Sequence, residues 1–474
     1  MNRIHRRLLR SLTFVRRRPV FMCHPLPKVL IPRIGLILLR LAMFVGNNDI
    51  TYQEKEQRRR STSCYTRWLI LRAVACEKMA DDLPLSGLKV IDLTHYIAGP
   101  YCTRLLCGLG AEVIKVEKAD GGDPARRLGP FPGDEPHGER SGLFTFLNSG
   151  KKSITLNLKT KVGVEIFKKL VQLADVVVEN FEPRVMPRLG LDYESLTKVN
   201  PRLVMVSISN FGQSGPYRDY RATEMVVEAL GGYMYLLGAY DREPVRSGIY
   251  LAQFYAGAVA AAATLAATYS SPEGQHLDIS IMESVVFSVF YPLVSYAYCG
   301  AIMRRAPKVD SGELTHTFLP TADGLVYPMV YGYVDWGTLA RVVLECPEVD
   351  NEKFDNPASR TEHVEELKEI MLSLFRDKRA EEIFHRAQAV GIPWGFVRRI
   401  DQVVNCPHLR EQRFYRAVNL HGSAVEMPRQ PFYMDSPWKE GRAPGLGEHN
   451  VEIYCGCLGY SRADLVKLRS LNVI

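Results

Sequence analysis

The chain has 474 residues, a hydrophobic content of 46% and a formal net charge of +8. This length suits two or three globular domains with substantial cores. The net charge does not indicate nucleic-acid binding, because ten Lys and Arg residues and no acid lie within residues 1–48, while the chain after Met79 is close to neutral. Ten cysteines without a CxxC motif indicate reduced intracellular thiols and no metal site.

The first eighty residues differ in character from the rest. Residues 1–20 are basic and resemble a transit peptide, and the apolar stretch 29–45 contains Arg33 and Arg40, so we expect no membrane span. An ordinary domain begins near Met79. We therefore expect residues 1–82 to be an N-terminal extension that is disordered or absent from the mature protein. The expected location is the cytoplasm, or an organelle matrix if the segment before Met79 is a transit peptide.

The body of the chain begins with a predicted βαβ unit. The β-branched run GLKVIDLT, residues 87–94, indicates a buried strand, and PYCTRLLCGLG, residues 100–110, has helical spacing that ends on glycines. AEVIKVEK, residues 111–118, is the next predicted strand. Two strands joined through a helix favour a parallel sheet. The absence of GxGxxG argues against a dinucleotide site.

The same alternation continues along the chain. Residues 159–174 form an amphipathic pattern typical of a helix, and strands are predicted at 175–181 and 201–212. Residues 314–400 read as a smaller α+β domain, and a final helix should begin near Ser461, a good N-cap. Beyond the alanine-rich run 258–268 we find no repeats.

These ordered motifs resemble one family, the family III CoA-transferases, which includes 2-methylacyl-CoA racemases. The resemblance covers residues 83–474. The stretches that carry it are GLKVIDLTHYIAGPYCTRLLCGLGAEVIKVEK, NSGKKSITLNLKT, ADVVVENFEPRVMPRLGL, VSISNFGQSGPY, EGQHLDISIMES, PHLREQRFY and GLGEHN. It is specific for the fold and less specific for the reaction, because the family contains both transferases and racemases.

The resemblance implies an α/β fold with a large Rossmann-like domain, over residues 83–300 and 401–474, and a small domain over 301–400. It further implies an interlocked dimer, to which the close packing allowed by the alanine run is suited; an ordinary buried helix explains that run equally well. The substrate would be a CoA thioester, with no permanently bound cofactor. The residues that match CoA-contacting positions are Tyr96, Ile97, Lys118, Leu156, Asn180, Phe181, Val185, Arg188 and Arg221. Anionic phosphates need Lys and Arg, and an adenine needs flat apolar walls.

Gln253 departs from the family pattern at its central residue. The resemblance implies an aspartate there, whose carboxylate attacks the acyl-CoA carbonyl, and an amide is a poor nucleophile. Glu224 matches a second active-site position and could take over the attack. Alternatively, the acceptor acid attacks directly, or Gln253 is a hydrogen-bonded core amide. The racemase pair would fall at Thr223 and Gln253, which cannot exchange a proton, and Asp219 is interpreted as a cap of the segment after it.

The predicted function is therefore transfer of CoA from an acyl-CoA thioester to a carboxylic acid. The alternative is a non-catalytic CoA-thioester-binding subunit that assembles with an active homologue, and an acyl-CoA racemase is less favoured. Expected partners are the acyl-CoA and acid substrates and a second copy or homologous subunit, with neither nucleic acid nor membrane.

Overall fold

A six-stranded parallel sheet forms the centre of the protein. The computed structural model describes residues 83–270, 273–305, 318–328, 335–420, 423–434 and 438–474, so the predicted extension 1–82 lies outside the described residues. The strands are β1 (Lys89–Asp92), β2 (Glu112–Glu117), β3 (Lys152–Thr155), β4 (Val176–Glu179), β5 (Val204–Ser209) and β6 (Gln275–Ser280). They lie in the order β3-β2-β1-β4-β5-β6, and every neighbouring pair is parallel. This order is that of Rossmann-type sheets, which leave a crevice between β1 and β4 at the carboxyl ends of the strands.

The predicted βαβ unit is confirmed. Its helix, α1, runs over Ala98–Gly108, and both strands begin one or two residues later than predicted. The α-helices that follow α1 in the described chain, up to Cys299, are α2 (Gly142–Asn148), α3 (Lys161–Gln172), α4 (Val185–Leu189), α5 (Tyr193–Thr197), α6 (Glu224–Leu230), α7 (Leu251–Ser270), α8 (Ile281–Ser288) and α9 (Phe290–Cys299).

Apolar side chains cover both faces of the sheet, as a parallel sheet requires. On one face, Ile91 and Val177 pack with Phe167 of α3. On the other face, Val90 and Val178 pack with side chains of α1 and α7. Successive residues of a strand point to opposite faces of the sheet. Because both faces are covered, adjacent hydrophobic residues of a strand, such as Val90 and Ile91, are both buried.

The C-terminal segment returns to this sheet. A π-helical turn, Glu452–Cys457, precedes helix α16 (Arg462–Ser470), whose Leu465 and Leu468 join the core on the α3 face. The Tyr454 hydroxyl donates to the Thr155 carbonyl at 2.6 Å. The predicted N-cap is confirmed, because Ser461 Oγ accepts from the Asp464 N–H.

The part of the chain that follows α9 and precedes the C-terminal segment forms a second hydrophobic core. Its antiparallel sheet contains β7 (Leu319–Pro320), β8 (Leu325–Tyr327) and β9 (Gly395–Phe396). Its helices are α10 (Trp336–Thr338), which continues as a π-helical turn Leu339–Leu344, α11 (Pro357–Glu362), α12 (Val364–Phe375) and α13 (Ala380–Ala389). Short helices α14 (Ile400–Val404) and α15 (Pro407–Glu411) and the hairpin β10 (Tyr415–Leu420) and β11 (Ser423–Pro428) follow. The domain boundaries named above stay a prediction.

The alanine run 258–268 lies within α7, and small residues of this helix, both before and within the run, face α1. Ala252, Ala256 and Ala260 repeat every four residues and are buried. A β-carbon on Gly257 would lie 2.5 Å from the Ala98 carbonyl oxygen, so the two helix backbones approach closely. The helix is long and apolar enough to cross a bilayer, but its small-residue face packs within this chain. The alanine pattern therefore has an explanation within one chain, and a role for it in an interlocked dimer stays a prediction.

Candidate active site

A cavity of about 790 Å³ opens where the order of the strands reverses. The loops that follow β1, β4 and β5 line it, together with the first turns of α6 and α7. Eight of the predicted catalytic and CoA-contacting residues line this cavity: Tyr96, Ile97, Asn180, Phe181, Arg188, Arg221, Glu224 and Gln253. Ligands of open α/β sheets bind at this position, outside the carboxyl ends of the strands.

Three other predicted CoA contacts do not line this cavity. Lys118 is exposed beyond the end of β2, and Val185 is half-buried at the start of α4. Leu156 is 3% exposed and packs in the core on the α3 face of the sheet. Its side chain therefore contributes to packing in this structure, and direct contacts of all three residues with a ligand stay predictions.

The turn after β1 is held in an unusual conformation by buried charges. Tyr96 has φ of +64°, a left-handed value that is unfavourable for a non-glycine residue. Its N–H donates to Asp123 Oδ1 at 3.1 Å, and Asp123 forms an ion pair with Lys115 at 2.9 Å. Lys115 Nζ also donates to the Thr94 carbonyl at 2.7 Å. This fully buried pair therefore fixes the turn from which the half-exposed Tyr96 side chain faces the cavity.

Asn180 connects the end of β4 to the same turn. Its Oδ1 accepts from the His95 N–H and its Nδ2 donates to the His95 carbonyl, both at 2.8 Å. The Phe181 ring makes an edge contact with the His95 ring, with centroids 5.5 Å apart. Because both ends of the Asn180 amide are engaged, this side chain positions the cavity wall. Burial, followed by the charge of Lys115, lowers the pKa of His95 to about 4, so its ring is neutral.

A second buried ion pair lies behind this turn. Lys151 Nζ is 2.9 Å from Asp92 Oδ2 and also donates to Thr103 and Asn148 side chains, and neither Lys151 nor Asp92 is exposed. Burial by itself would raise the pKa of Asp92, but the two nearby lysines bring it well below its usual range. The carboxyl end of β1 is thus braced by satisfied buried charges.

Four arginines give the cavity a cationic wall: Arg184, Arg188, Arg218 and Arg221. Of these, only Arg188 and Arg221 were predicted from the sequence. The available signal was the four-residue spacing between Arg184, the N-cap residue of α4, and Arg188 within that helix. Asp219, expected to cap the segment after it, instead pairs with Arg184.

Glu224 and Gln253 meet at the base of the cavity. Glu224 is the first residue of α6, and its Oε1 accepts from the Ala252 N–H in the first turn of α7 at 2.6 Å. Its Oε2 is buried and accepts no hydrogen bond from the described part of the chain. Burial, and then the charge of Glu228, raise the pKa of Glu224, against the opposing effect of backbone N–H groups in α7. Glu224 therefore presents an uncompensated carboxylate oxygen beside Gln253.

Gln253 is not a satisfied core amide. It is half-buried, lines the cavity, and its side chain forms no hydrogen bond with any residue in the described ranges. Thr223, which the resemblance matches to one member of a racemase pair, also lines the cavity, and neither its hydroxyl nor the Gln253 amide exchanges protons near neutral pH.

Glu228 was missed in the sequence, although it lies four residues after Glu224 on α6. It is 1% exposed and accepts from both the N–H and the hydroxyl of Ser247. The two glutamates of α6 thus hold the segment that leads from Ser247 into α7. The E-x-x-x-E spacing was the only signal for this role.

The site combines a cationic wall, an aromatic wall and a carboxylate at its base. Such a cavity suits a long ligand with anionic groups at one end and an acyl group that reaches the carboxylate. Within the described ranges, no group of three His, Cys, Asp or Glu side chains is arranged to hold a metal ion.

Comparisons with known proteins point to one family. The sequence pattern of CoA-transferase family III matches residues 85–450. The succinate–glutarate CoA-transferase of Agrobacterium fabrum is 30% identical, over 78% of this chain and 94% of its own. The beta subunit of the succinyl-CoA–L-malate CoA-transferase of Chloroflexus aurantiacus is 29% identical, over 83% and 98%. A CAIB/BAIF family protein from Brucella suis has a solved structure that matches with a TM-score of 0.71 at 29% identity, covering 79% of this chain and all of that one.

Proposed function

The chain belongs to CoA-transferase family III, and from that membership we propose that it moves CoA from an acyl-CoA thioester to a carboxylic acid, with Glu224 as the nucleophile. The observation that supports this role is the buried, unpaired Oε2 of Glu224 in the cavity that also contains Gln253. A carboxylate is the chemical group that the reaction needs, and the glutamine cannot supply it.

We place the substrate along the cavity from the arginines to the base. The phosphates of CoA would contact Arg188 and Arg221, and the wall of Tyr96, Ile97 and Phe181 would contact its apolar parts. The thioester carbonyl would then lie beside Glu224. Lys118 and Val185 would complete the contacts at the outer end.

The reaction would proceed through covalent intermediates on Glu224. The carboxylate attacks the thioester carbonyl, forms a mixed anhydride and releases CoA as a thiolate. The thiolate attacks the glutamyl carbonyl of the anhydride, which forms a glutamyl-CoA thioester and frees the donor acid. The acceptor carboxylate then attacks this thioester and expels the thiolate, giving a second anhydride. The thiolate finally attacks the acceptor carbonyl, so that the new thioester leaves and the Glu224 carboxylate is regenerated.

Gln253 has a supporting role in this scheme. Its amide can donate an N–H to the oxygen on which negative charge develops, and it lies in the first turn of a 20-residue helix, whose N-terminus favours negative charge. Compared with a transferase that has aspartate at the position of Gln253, we expect this enzyme to turn over more slowly but still to be active.

The test is to trap the intermediate. The full chain is incubated with succinyl-CoA, a donor chosen because two relatives are named for reactions of succinate or its CoA ester. Borohydride then reduces an enzyme thioester to an alcohol, and peptide mass spectrometry locates it. We expect the reduction at Glu224 in the wild type and none in Glu224→Gln. Glu228→Gln, four residues along the same helix, is a control that retains Glu224.

Two outcomes would contradict the nucleophile assignment. Turnover that survives in Glu224→Gln without a trapped intermediate would favour direct attack by the acceptor acid. A trapped adduct at another carboxylate would assign the attack to that residue.

A second candidate function is a non-catalytic CoA-thioester-binding subunit. Gln253 favours it, and one relative is named as the beta subunit of a CoA-transferase. For this candidate, the wild type would bind CoA but not turn over, and Gln253→Asp would gain activity. The same assay panel, an acyl-CoA with several acids, separates the two functions.

We also propose that the chain forms a dimer with itself or with a homologue. Helix α9 buries none of its residues, and it exposes Phe290, Tyr291, Tyr296 and Tyr298 by 61–86%. An apolar surface of this kind is typical of an interface. Light scattering after size-exclusion chromatography should give twice the chain mass, and Tyr298→Glu should reduce it. Whether such a dimer is interlocked requires its structure.

The cytoplasmic location stays a proposal, with an organelle matrix as the alternative if residues 1–78 direct import. Fractionation of cells that express the full chain, followed by intact-mass analysis, tests both the location and the removal of that segment.

A further inference from the structure

An acidic side chain lies among the arginines of the cavity wall. Asp219 belongs to the segment that follows the glycine loop 211–217, and Arg184 lies across the cavity at the start of α4. Both side chains are accessible to solvent, at 41% and 60%. This pair therefore links the segment after β4 with the segment after β5, both of which line the cavity.

The contact between them has the geometry of a strong ion pair. Arg184 Nε is 2.7 Å from Asp219 Oδ1, and Arg184 Nη2 is 2.5 Å from Oδ2. Arg218 Nε lies 4.0 Å from Oδ1 of the same carboxylate. The hydrogen bond from Arg184, and then the charges of Arg184, Arg218 and Arg188, hold the pKa of Asp219 below its usual value. The carboxylate thus occupies the centre of a cationic group.

A second ion pair crosses the mouth in the opposite direction. Arg221, from the segment of Asp219, lies 3.8 Å from Glu182, from the segment of Arg184. Each loop therefore contributes one base and one acid. Arg188 forms no ion pair with a described residue.

We propose that Arg184 is an additional phosphate-binding residue, and that Asp219 competes with the phosphate groups of the ligand for it. In this view, the Arg184 guanidinium is paired with Asp219 until the ligand binds. This inference rests on the proposed function, because it takes a CoA thioester as the ligand. It adds a contact and an autoinhibitory ion pair that the binding residues named above do not include.

The physical basis is that a carboxylate and a phosphate present the same pattern to a guanidinium. Both accept two parallel N–H···O bonds from one arginine, so only one of them can hold Arg184 in this way at a time. The ligand must exchange with Asp219 before it gains that contact. Because Arg184 and Asp219 are exposed, the exchange needs only side-chain rotation and no unfolding of either loop.

The counterintuitive consequence is that removing an acid should strengthen binding. Asp219→Asn keeps the shape of the side chain and removes its charge, so Arg184 is free before the ligand arrives. Exposed ion pairs of this kind contribute modestly, and we expect the Kd for CoA to fall about twofold to fivefold. Arg184→Gln should raise the Kd, because a phosphate contact is lost.

The experiment is titration calorimetry of the full chain with CoA, comparing the wild type, Asp219→Asn, Arg184→Gln and the double variant. Asp241→Asn is the matched control for charge, because Asp241 is exposed and does not line the cavity. We expect Asp241→Asn to bind as the wild type does. In the double variant, Asp219→Asn should have little further effect, since Arg184, the arginine that forms two hydrogen bonds with Asp219, is no longer there to be released.

The outcomes separate this inference from the proposed function. If the wild type binds no CoA, the proposed function fails and the competitor role fails with it. If the wild type binds CoA but Asp219→Asn binds it equally or more weakly, only the competitor role is refuted. An equal gain in Asp241→Asn, or a gain that persists without Arg184, would assign the effect to net charge and would also refute it.

Discussion

Replacing Glu179 with glutamine should make the stability of the protein less dependent on pH. Glu179 ends β4, is 3% exposed, and its Oε2 accepts from the Phe181 N–H at 2.8 Å. Burial, and to a lesser degree the charge of Asp278, raise its pKa from 4.5 to about 7, against hydrogen bonds from Ser207 and Phe181 that lower it. The folded protein therefore binds this proton more tightly than the unfolded chain does.

The sign and the size of the effect follow from this difference. The stabilisation that protonated Glu179 gives is complete below pH 4.5 and is lost as the pH rises through 7. One pKa unit corresponds to about 1.4 kcal/mol. The ionisation of Glu179 should therefore lower the free energy of unfolding of the wild type by about 2.5 kcal/mol between pH 5 and pH 8. Glutamine resembles the protonated acid and does not titrate, so this loss should be absent from Glu179→Gln.

The assay is urea-induced unfolding at pH 5 and pH 8, followed by far-ultraviolet circular dichroism. The quantity to compare is the difference between variant and wild type at each pH, because this difference removes the contribution of other titrating groups. Glu182→Gln is the matched control, since that glutamate lies three residues further on and its side chain is 73% exposed. Its unfolding at the two pH values is the reference for removing an exposed carboxylate from the same segment.

A single result would refute this reasoning. If Glu179→Gln and the wild type lose the same stability between pH 5 and pH 8, to within about 0.5 kcal/mol, the Glu179 carboxyl has an ordinary pKa in the folded protein. Its burial would then be compensated more fully than the contacts of β4 indicate.

Three further predictions concern the groups that support the site. Asp123→Ala should destabilise the fold in urea unfolding, because the Tyr96 N–H loses its acceptor and the left-handed Tyr96 turn then costs about 1–2 kcal/mol; adding Tyr96→Gly should recover part of this stability, whereas no recovery would show that Asp123 acts elsewhere. Lys151→Met should destabilise the fold by about 3–5 kcal/mol in urea unfolding, since it leaves Asp92 buried without this partner; a loss below about 1 kcal/mol would contradict this. Gly257→Val should lower the free energy of unfolding by about 1–3 kcal/mol, because its β-carbon would lie 2.5 Å from the Ala98 carbonyl oxygen where α7 packs on α1. Gly248→Ala is the control and should change the stability little, because no atom lies within 4 Å of the new β-carbon.

The local elements were largely predictable, because their signals are local. The β-branched runs around β1 and β2, the amphipathic pattern of α3 and the serine cap of α16 each depend on a few neighbouring residues. The mixed α/β class with a parallel sheet follows from the alternation of such elements.

The arrangement of the site was less predictable, since its partners are far apart in the chain. Arg184 and Asp219 are 35 residues apart, and Asn180 and His95 are 85 apart. Asp219 was expected to cap the segment after it, because only local partners are visible in a sequence. Leu156 was expected from the resemblance to contact CoA, yet its side chain lies in the core.

The family and the order of strands and helices could be inferred from the amino-acid sequence alone. The resemblance also implies that Gln253 stands where an attacking acid is expected, which stays a prediction. Hydrophobic periodicity and ordered motifs carry that information, because both are written in neighbouring residues. The tertiary structure was needed to see which polar groups line the same cavity. It was also needed to find the Glu224 oxygen that has no hydrogen bond from a described residue and the ion pair between Asp219 and Arg184. The physical reason is that the sheet brings together the ends of strands that are distant in the chain, so pairing across the crevice depends on strand order and loop conformation.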